Sequence, residues 1–115
     1  MRISEKMVEA VAQRFRLLGE PTRLRILQCL EDGEMSVNEM VSALSASQPN
    51  ISKHLQVLHA AGILERRRAA NNIYYAIADP VIPRLCKLVC DSAMDSAREH
   101  FEGLKKAVPA RRRSW

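Results

Sequence analysis

The stretch SVNEMVSALSASQPNISKHLQVL, residues 36–58, decides the fold. Val37, Met40, Val41 and Leu44 recur at i, i+3, i+4 and i+7, which draws one apolar stripe along a helix. Ser36 stands just before that stripe and Glu39 three residues after Ser36, the spacing of a capping box in which side chain and backbone satisfy each other reciprocally. The polar link Ser45-Ala46-Ser47 interrupts the stripe, and Gln48-Pro49-Asn50-Ile51 starts a second helix, because proline is tolerated in a first turn where no N–H is needed. Ile51, Leu55 and Leu58 predict its buried face, Asn50, Lys53, Gln56 and His59 its polar face, and Gly62 its stop. Two short helices joined by a three- or four-residue turn make a helix-turn-helix.

Beyond Gly62 the period changes from 3.6 to 2. Leu64, Arg66 and Arg68 alternate, Ala69-Ala70-Asn71-Asn72 reads as a turn, and Ile73, Tyr75 and Ile77 alternate again, which predicts a β-hairpin. Toward the N-terminus, Met7, Val11, Phe15 and Leu18 mark a helix from Ser4 to Leu18, closed by Gly19 and Pro21. Thr22 is the expected cap of the next helix, whose apolar positions are Leu24, Ile26, Leu27 and Leu30 before Asp32-Gly33 stops it. From Asp79-Pro80 a last helix is expected to run to about Ala107, with Pro83 tolerated in its first turn and Pro109 ending it. The expected architecture is mainly α with a small β-hairpin wing: a winged helix-turn-helix of about five helices and two strands. One domain is expected over residues 1–108, with residues 109–115 a basic, disordered tail, and no internal repeat or linker divides the chain.

At 115 residues, 47% hydrophobic and 27% charged, the chain suits a single domain with its own core. No apolar run approaches the roughly 18 residues of a membrane span, and Met1 to Ala10 carries Glu5 and Glu9 where a signal peptide would be apolar. Cys29, Cys86 and Cys90 are too few for a disulfide framework and include no Cys-x-x-Cys pair, so a reducing cytoplasm and no membrane partner are expected. The net charge of +5 misleads until it is located, because Lys105, Lys106, Arg111, Arg112 and Arg113 account for all of it. Residues 1–104 balance, with 13 basic against 13 acidic side chains. Within them the distribution is uneven: residues 46–78 hold Lys53, Arg66, Arg67 and Arg68 against Glu65 alone. That segment faces anions.

The second helix of the pair therefore reads as one that enters a DNA major groove. Gln48, Asn50 and Ser52 can both donate to and accept from base edges, Pro49 opens the helix, and Lys53 reaches a guanine or a phosphate. The hairpin offers Arg66, Arg67, Arg68, Asn71 and Asn72 to the backbone or minor groove, a sequence-independent contribution that weakens with salt. Taken singly, a polar helix face or an arginine run is as readily a solvated surface; the ordered combination is what carries the reading. His54 lies on the helix flank beside Leu55 and reads as a packing histidine.

These residues resemble the ArsR/SmtB family of winged-helix repressors over roughly Val8 to Phe101. The resemblance is carried by Leu-Gly-Glu-Pro-Thr-Arg-Leu-Arg-Ile-Leu at 18–27, Ser-Gln-Pro-Asn-Ile-Ser-Lys-His-Leu at 47–55, Leu58 through Leu64, and Arg66 through Tyr75. It implies a homodimer formed by the first and last helices that binds an inverted repeat in double-stranded promoter DNA and is released by a signal. The family's base-reading positions fall on Gln48, Pro49, Asn50, Ser52 and Lys53, and its wing contacts on Arg66 to Asn72. Candidate dimer residues are Val11 and Phe15 on the first helix. On the last, Val81, Leu85, Leu88 and Val89 also make an apolar strip too long for a small core to cover.

The signal is less legible. Ser36 and Asn38 occupy the positions where metal-binding relatives carry thiolates, and His100 with Asp91 and Asp95 matches no zinc-site order, so no metal ligand is assigned there. Cys86 and Cys90, at i and i+4, lie about 6 Å apart on one helix face, close enough to share a soft metalloid such as arsenite or to react in turn with an oxidant or persulfide. Cys29 is the third candidate. Sulfide-sensing relatives pair a last-helix cysteine with one in the second helix; Cys90 matches the former, but Gln28 holds the latter position, and Cys29 is offset by about 100°. The alternative is that all three cysteines only pack. DNA binding itself requires no cofactor. An enzyme is not expected, because His54, His59 and His100 have no paired carboxylate at a catalytic spacing and no phosphate loop is present. The competing class is a winged-helix protein-interaction module without DNA, which a steep salt dependence of DNA affinity would exclude.

Overall fold

A computed structural model describes residues 1–103. The elements follow one another as α1 (Glu5–Leu18), α2 (Pro21–Cys29), β1 (Met35–Ser36), α3 (Val37–Leu44), α4 (Gln48–Ala60), β2 (Leu64–Ala69), β3 (Asn72–Ile77) and α5 (Val81–Gly103). Among the described residues, 1–79 form one compact unit and 80–103, with α5, a second. The expected tail at 109–115 and the domain limit at 108 lie outside the described residues. Among the described residues no helix is long and apolar enough to cross a membrane.

Helix boundaries follow the caps. The Ser4 hydroxyl accepts from the Met7 N–H at 3.2 Å and starts α1. Helix α2 begins earlier than Thr22 predicted: Pro21 takes the first helical position, and the Glu20 carboxylate, not Thr22, caps the helix by accepting from the Arg23 N–H at 3.0 Å. A carboxylate there also meets the positive end of the helix dipole. The capping box of α3 is complete, with Glu39 N–H to Ser36 Oγ at 3.1 Å and Ser36 N–H to Glu39 Oε1 at 2.8 Å. Ser45 leaves α3 in the left-handed region at φ 50°, and Ser47 caps α4. Gly62, at φ 76°, turns the chain out of α4 as its position predicted.

The expected two strands are three. Met35 and Ser36 pair antiparallel with Tyr75 and Tyr74, giving a sheet of order β1-β3-β2. Two residues are too few to show a period of 2, which is why sequence pattern alone misses β1. The hairpin itself has the expected place, with Leu64 opposite Ile77, Arg66 opposite Tyr75 and Arg68 opposite Ile73. Its tip carries Ala70 at φ 55°.

The core of the first unit is built from Ile26 and Leu27 of α2, Met40 of α3, and Ile51, Leu55 and Leu58 of α4, closed by Ile63 and Leu64. Each of these side chains, fully removed from water, contributes about 1.5–3 kcal/mol. Val37, Val41 and Leu44 are only half-buried, so the α3 stripe is anchored mainly by Met40. Arg14 of α1 fastens the far end of α4, donating to the Ala61 carbonyl at 2.8 Å and pairing with Asp79 at 3.0 Å.

Candidate nucleic-acid interface

Helix α4 is held by one face and free on the other. Ile51, Leu55 and Leu58 are fully buried, whereas Gln48, Pro49, Asn50 and Lys53 are exposed and Ser52 is half-buried. The exposed residues therefore share the helix's N-terminal, outward surface, as expected. Gln48 Nε2 donates to Ser52 Oγ at 2.9 Å, which orients both side chains one turn apart. Lys53 has no ion pair among the described residues.

The orientation of α4 rests partly on His54, which is 7% exposed. Its Nδ1 accepts from Arg23 Nε at 3.1 Å, and its Nε2 lies 3.6 Å from the Glu20 carboxylate. A guanidinium only donates, so Nδ1 must carry a lone pair in this arrangement. Burial pushes the Glu20 carboxyl upward, but hydrogen bonds from the Arg23 and Thr22 N–H groups and the nearby Arg23 charge outweigh it, leaving Glu20 below the usual carboxylate range. The packing role read from sequence fits this burial; the link to α2 does not show in any local pattern.

The hairpin sorts its arginines by face. Leu64, Arg66 and Arg68 share one face with their partners Ile77, Tyr75 and Ile73. Tyr75 on that face is buried and meets the His59 ring of α4 edge-on, with centroids 6.4 Å apart. Arg66 Nη1 reaches the Tyr75 hydroxyl at 3.5 Å, and Arg66 and Arg68 are exposed with no ion pair among the described residues. Arg67 points to the opposite face. It donates through Nε to Glu34 Oε2 at 2.9 Å and through Nη2 to Glu34 Oε1, and its guanidinium lies 4.8 Å from the Tyr74 ring centroid. The Arg67 guanidinium holds the Glu34 carboxyl below the usual carboxylate range. Asn71 and Asn72 are exposed at the wing tip.

Of the other candidate residues, Phe15 of α1 and Val81, Leu88 and Val89 of α5 are between 54% and 67% exposed, while Val11 and Leu85 are half-buried. Met7 and Val8 add exposed apolar surface to α1 that the sequence reading did not assign to a dimer. All three cysteines are free: Cys86 is buried, Cys29 and Cys90 half-buried, and burial pushes the Cys29 and Cys86 thiols up. Among the described residues no group of three or more His, Cys, Asp or Glu side chains is placed to hold a metal ion.

Residues 20–66 match the family model described as bacterial regulatory protein, arsR family. The chain is 40% identical to the biofilm growth-associated repressor of Agrobacterium fabrum over 81 residues, covering 70% of this chain and 69% of that protein. It superposes on the crystal structure of the AntR antimony-specific transcriptional repressor with a TM-score of 0.76 and 29% identity, over 85% of this chain and 89% of that one. The homodimeric winged helix-turn-helix DNA-binding domain Mb0332 of Mycobacterium bovis gives a TM-score of 0.69 and 31% identity, over 81% and 89%.

Proposed function

This chain belongs to the arsR family of bacterial regulatory proteins and is a transcriptional regulator rather than an enzyme, and we propose that it is a homodimeric repressor that reads an inverted repeat with α4. The observation that carries this reading is the division of α4 into a fully buried face and an exposed polar one. A helix so fixed can offer Gln48, Asn50, Ser52 and Lys53 to base edges without moving the core, with Pro49 at the groove entrance. Arg66 and Arg68, exposed on the α4 side of the hairpin and without an ion pair among the described residues, and Asn71 and Asn72 at its tip supply contacts to the DNA backbone or minor groove. Exposed Phe15, Val81, Leu88 and Val89, with half-buried Val11 and Leu85, supply apolar surface for the partner copy, a reading supported by the homodimeric state of the Mycobacterium bovis domain.

The proposed signal acts at Cys86 and Cys90, one turn apart on α5. A buried thiol with its pKa raised is a poor nucleophile and a poor ligand until it is deprotonated, which favours first reaction at the more accessible Cys90 over reaction initiated at Cys86. Similarity to an antimony-specific repressor agrees with the metalloid route. Either chemistry releases DNA only if it favours one dimer geometry over another.

The test of DNA reading is the salt dependence of affinity for a duplex, followed by fluorescence anisotropy. The wild-type chain gives a steep linear fall of log K with log salt, and Lys53→Ala flattens that slope by about one unit. A slope untouched by Lys53→Ala removes Lys53 from the interface, and a wild-type chain with no slope favours a protein-interaction module instead.

A further inference from the structure

The three consecutive arginines of β2 look equivalent in the sequence, yet the fold gives the middle one a different environment. Arg66 and Arg68 lie on the hairpin face that meets α4 through Tyr75 and His59. Arg67, one residue out of phase, lies on the other face with Tyr74, and its guanidinium is engaged twice by Glu34, which immediately precedes β1. We propose that Arg67 is a positioning residue that clamps the wing to the β1 edge through Glu34 and Tyr74, and that the wing's phosphate contacts are left to Arg66 and Arg68.

The chemistry of exchange supports this. To reach a phosphate, Arg67 would give up a two-pronged, charge-assisted pair and a stacked aromatic face for one new anion. It would also uncover the Glu34 carboxylate beside a polyanion, where like charge is unfavourable. Kept in place, the pair joins β2 to the segment entering β1, on either side of β3, and so braces all three strands. The hairpin tip then projects from a fixed base. This inference rests on the proposed DNA reading for its consequence, but the clamp itself has a readout without DNA.

The experiment uses the full chain and four variants on a duplex over a salt series, with amide hydrogen exchange in the absence of DNA. Arg66→Ala flattens the salt slope by about one unit. Arg67→Ala and Glu34→Gln each lower affinity several-fold with the wild-type slope retained, and the double variant binds no worse than either single one. Both singles speed exchange across Leu64–Ala69 and Asn72–Ile77. A slope flattened by about one in Arg67→Ala, or tighter binding by Glu34→Gln, overturns the assignment, since each is what a phosphate contact masked by Glu34 would give. Unaltered hairpin exchange in both variants overturns the clamp whatever the DNA results. Loss of the salt slope in the wild type, with faster exchange in the variants, removes the DNA reading while leaving the clamp standing.

Discussion

Glu34 shows how one carboxylate ties local chemistry to the shape of the wing. Its folded-state pKa lies below the ordinary value because Arg67 donates to it, so the unfolded chain binds a proton at a higher pH than the folded one. Stability from the pair is fully present above the unfolded value of about 4.3 and is lost as pH falls through the lower folded value. The wild type should therefore lose more stability between about pH 5 and pH 3 than Glu34→Gln, read from urea midpoints at each pH. Glu20, shifted in the same direction, remains in both proteins and cancels in the comparison. Equal acid sensitivity would show that the pair adds nothing to the folded state. Residue-level reading of the sequence succeeded where the partner was local, as with Ser36 and Glu39, and failed where it was distant. Arg67 and Glu34 are 33 positions apart and Arg23 and His54 are 31, separations at which no periodicity speaks. Residue type favours Thr22 as a cap, but Pro21 shifts the helix start to its own position and hands the cap to Glu20.

Among the elements, α3, α4 and the hairpin were legible because each carries a strong period and a specific cap or turn. β1 was not, since two residues gain strand character only from pairing with β3. The element whose function is least settled by pattern is α5, 23 residues long with two cysteines one turn apart. If those thiols sense the signal, a Cys86→Ser/Cys90→Ser chain should bind DNA as the wild type does and keep its affinity after arsenite or a persulfide donor. The wild type should lose affinity with one of the two reagents, in an anisotropy titration. Unchanged binding by the reduced wild type under both would assign the cysteines to packing, in keeping with how often free cysteine is simply buried.

For the molecule as a whole, the placement of charge matters more than its sum. Residues 1–104 are balanced, so in the proposed reading their attraction to DNA comes from Lys53, Arg66 and Arg68 at exposed positions of one unit rather than from bulk charge. The proposed reading also needs two such units at a fixed separation, so the exposed apolar residues on α1 and α5 enter it as much as the polar face of α4. The most direct measurement is selection of DNA sites from a random duplex pool by the full, reduced chain, followed by sequencing of the bound fraction. The account predicts enrichment of an inverted repeat whose half-site centres are about 10–10.5 base pairs, or a multiple of that, apart, matching two copies of α4 on one face of the duplex. Recovery of unselected sequence, or of a single half-site with no phased partner, would contradict it.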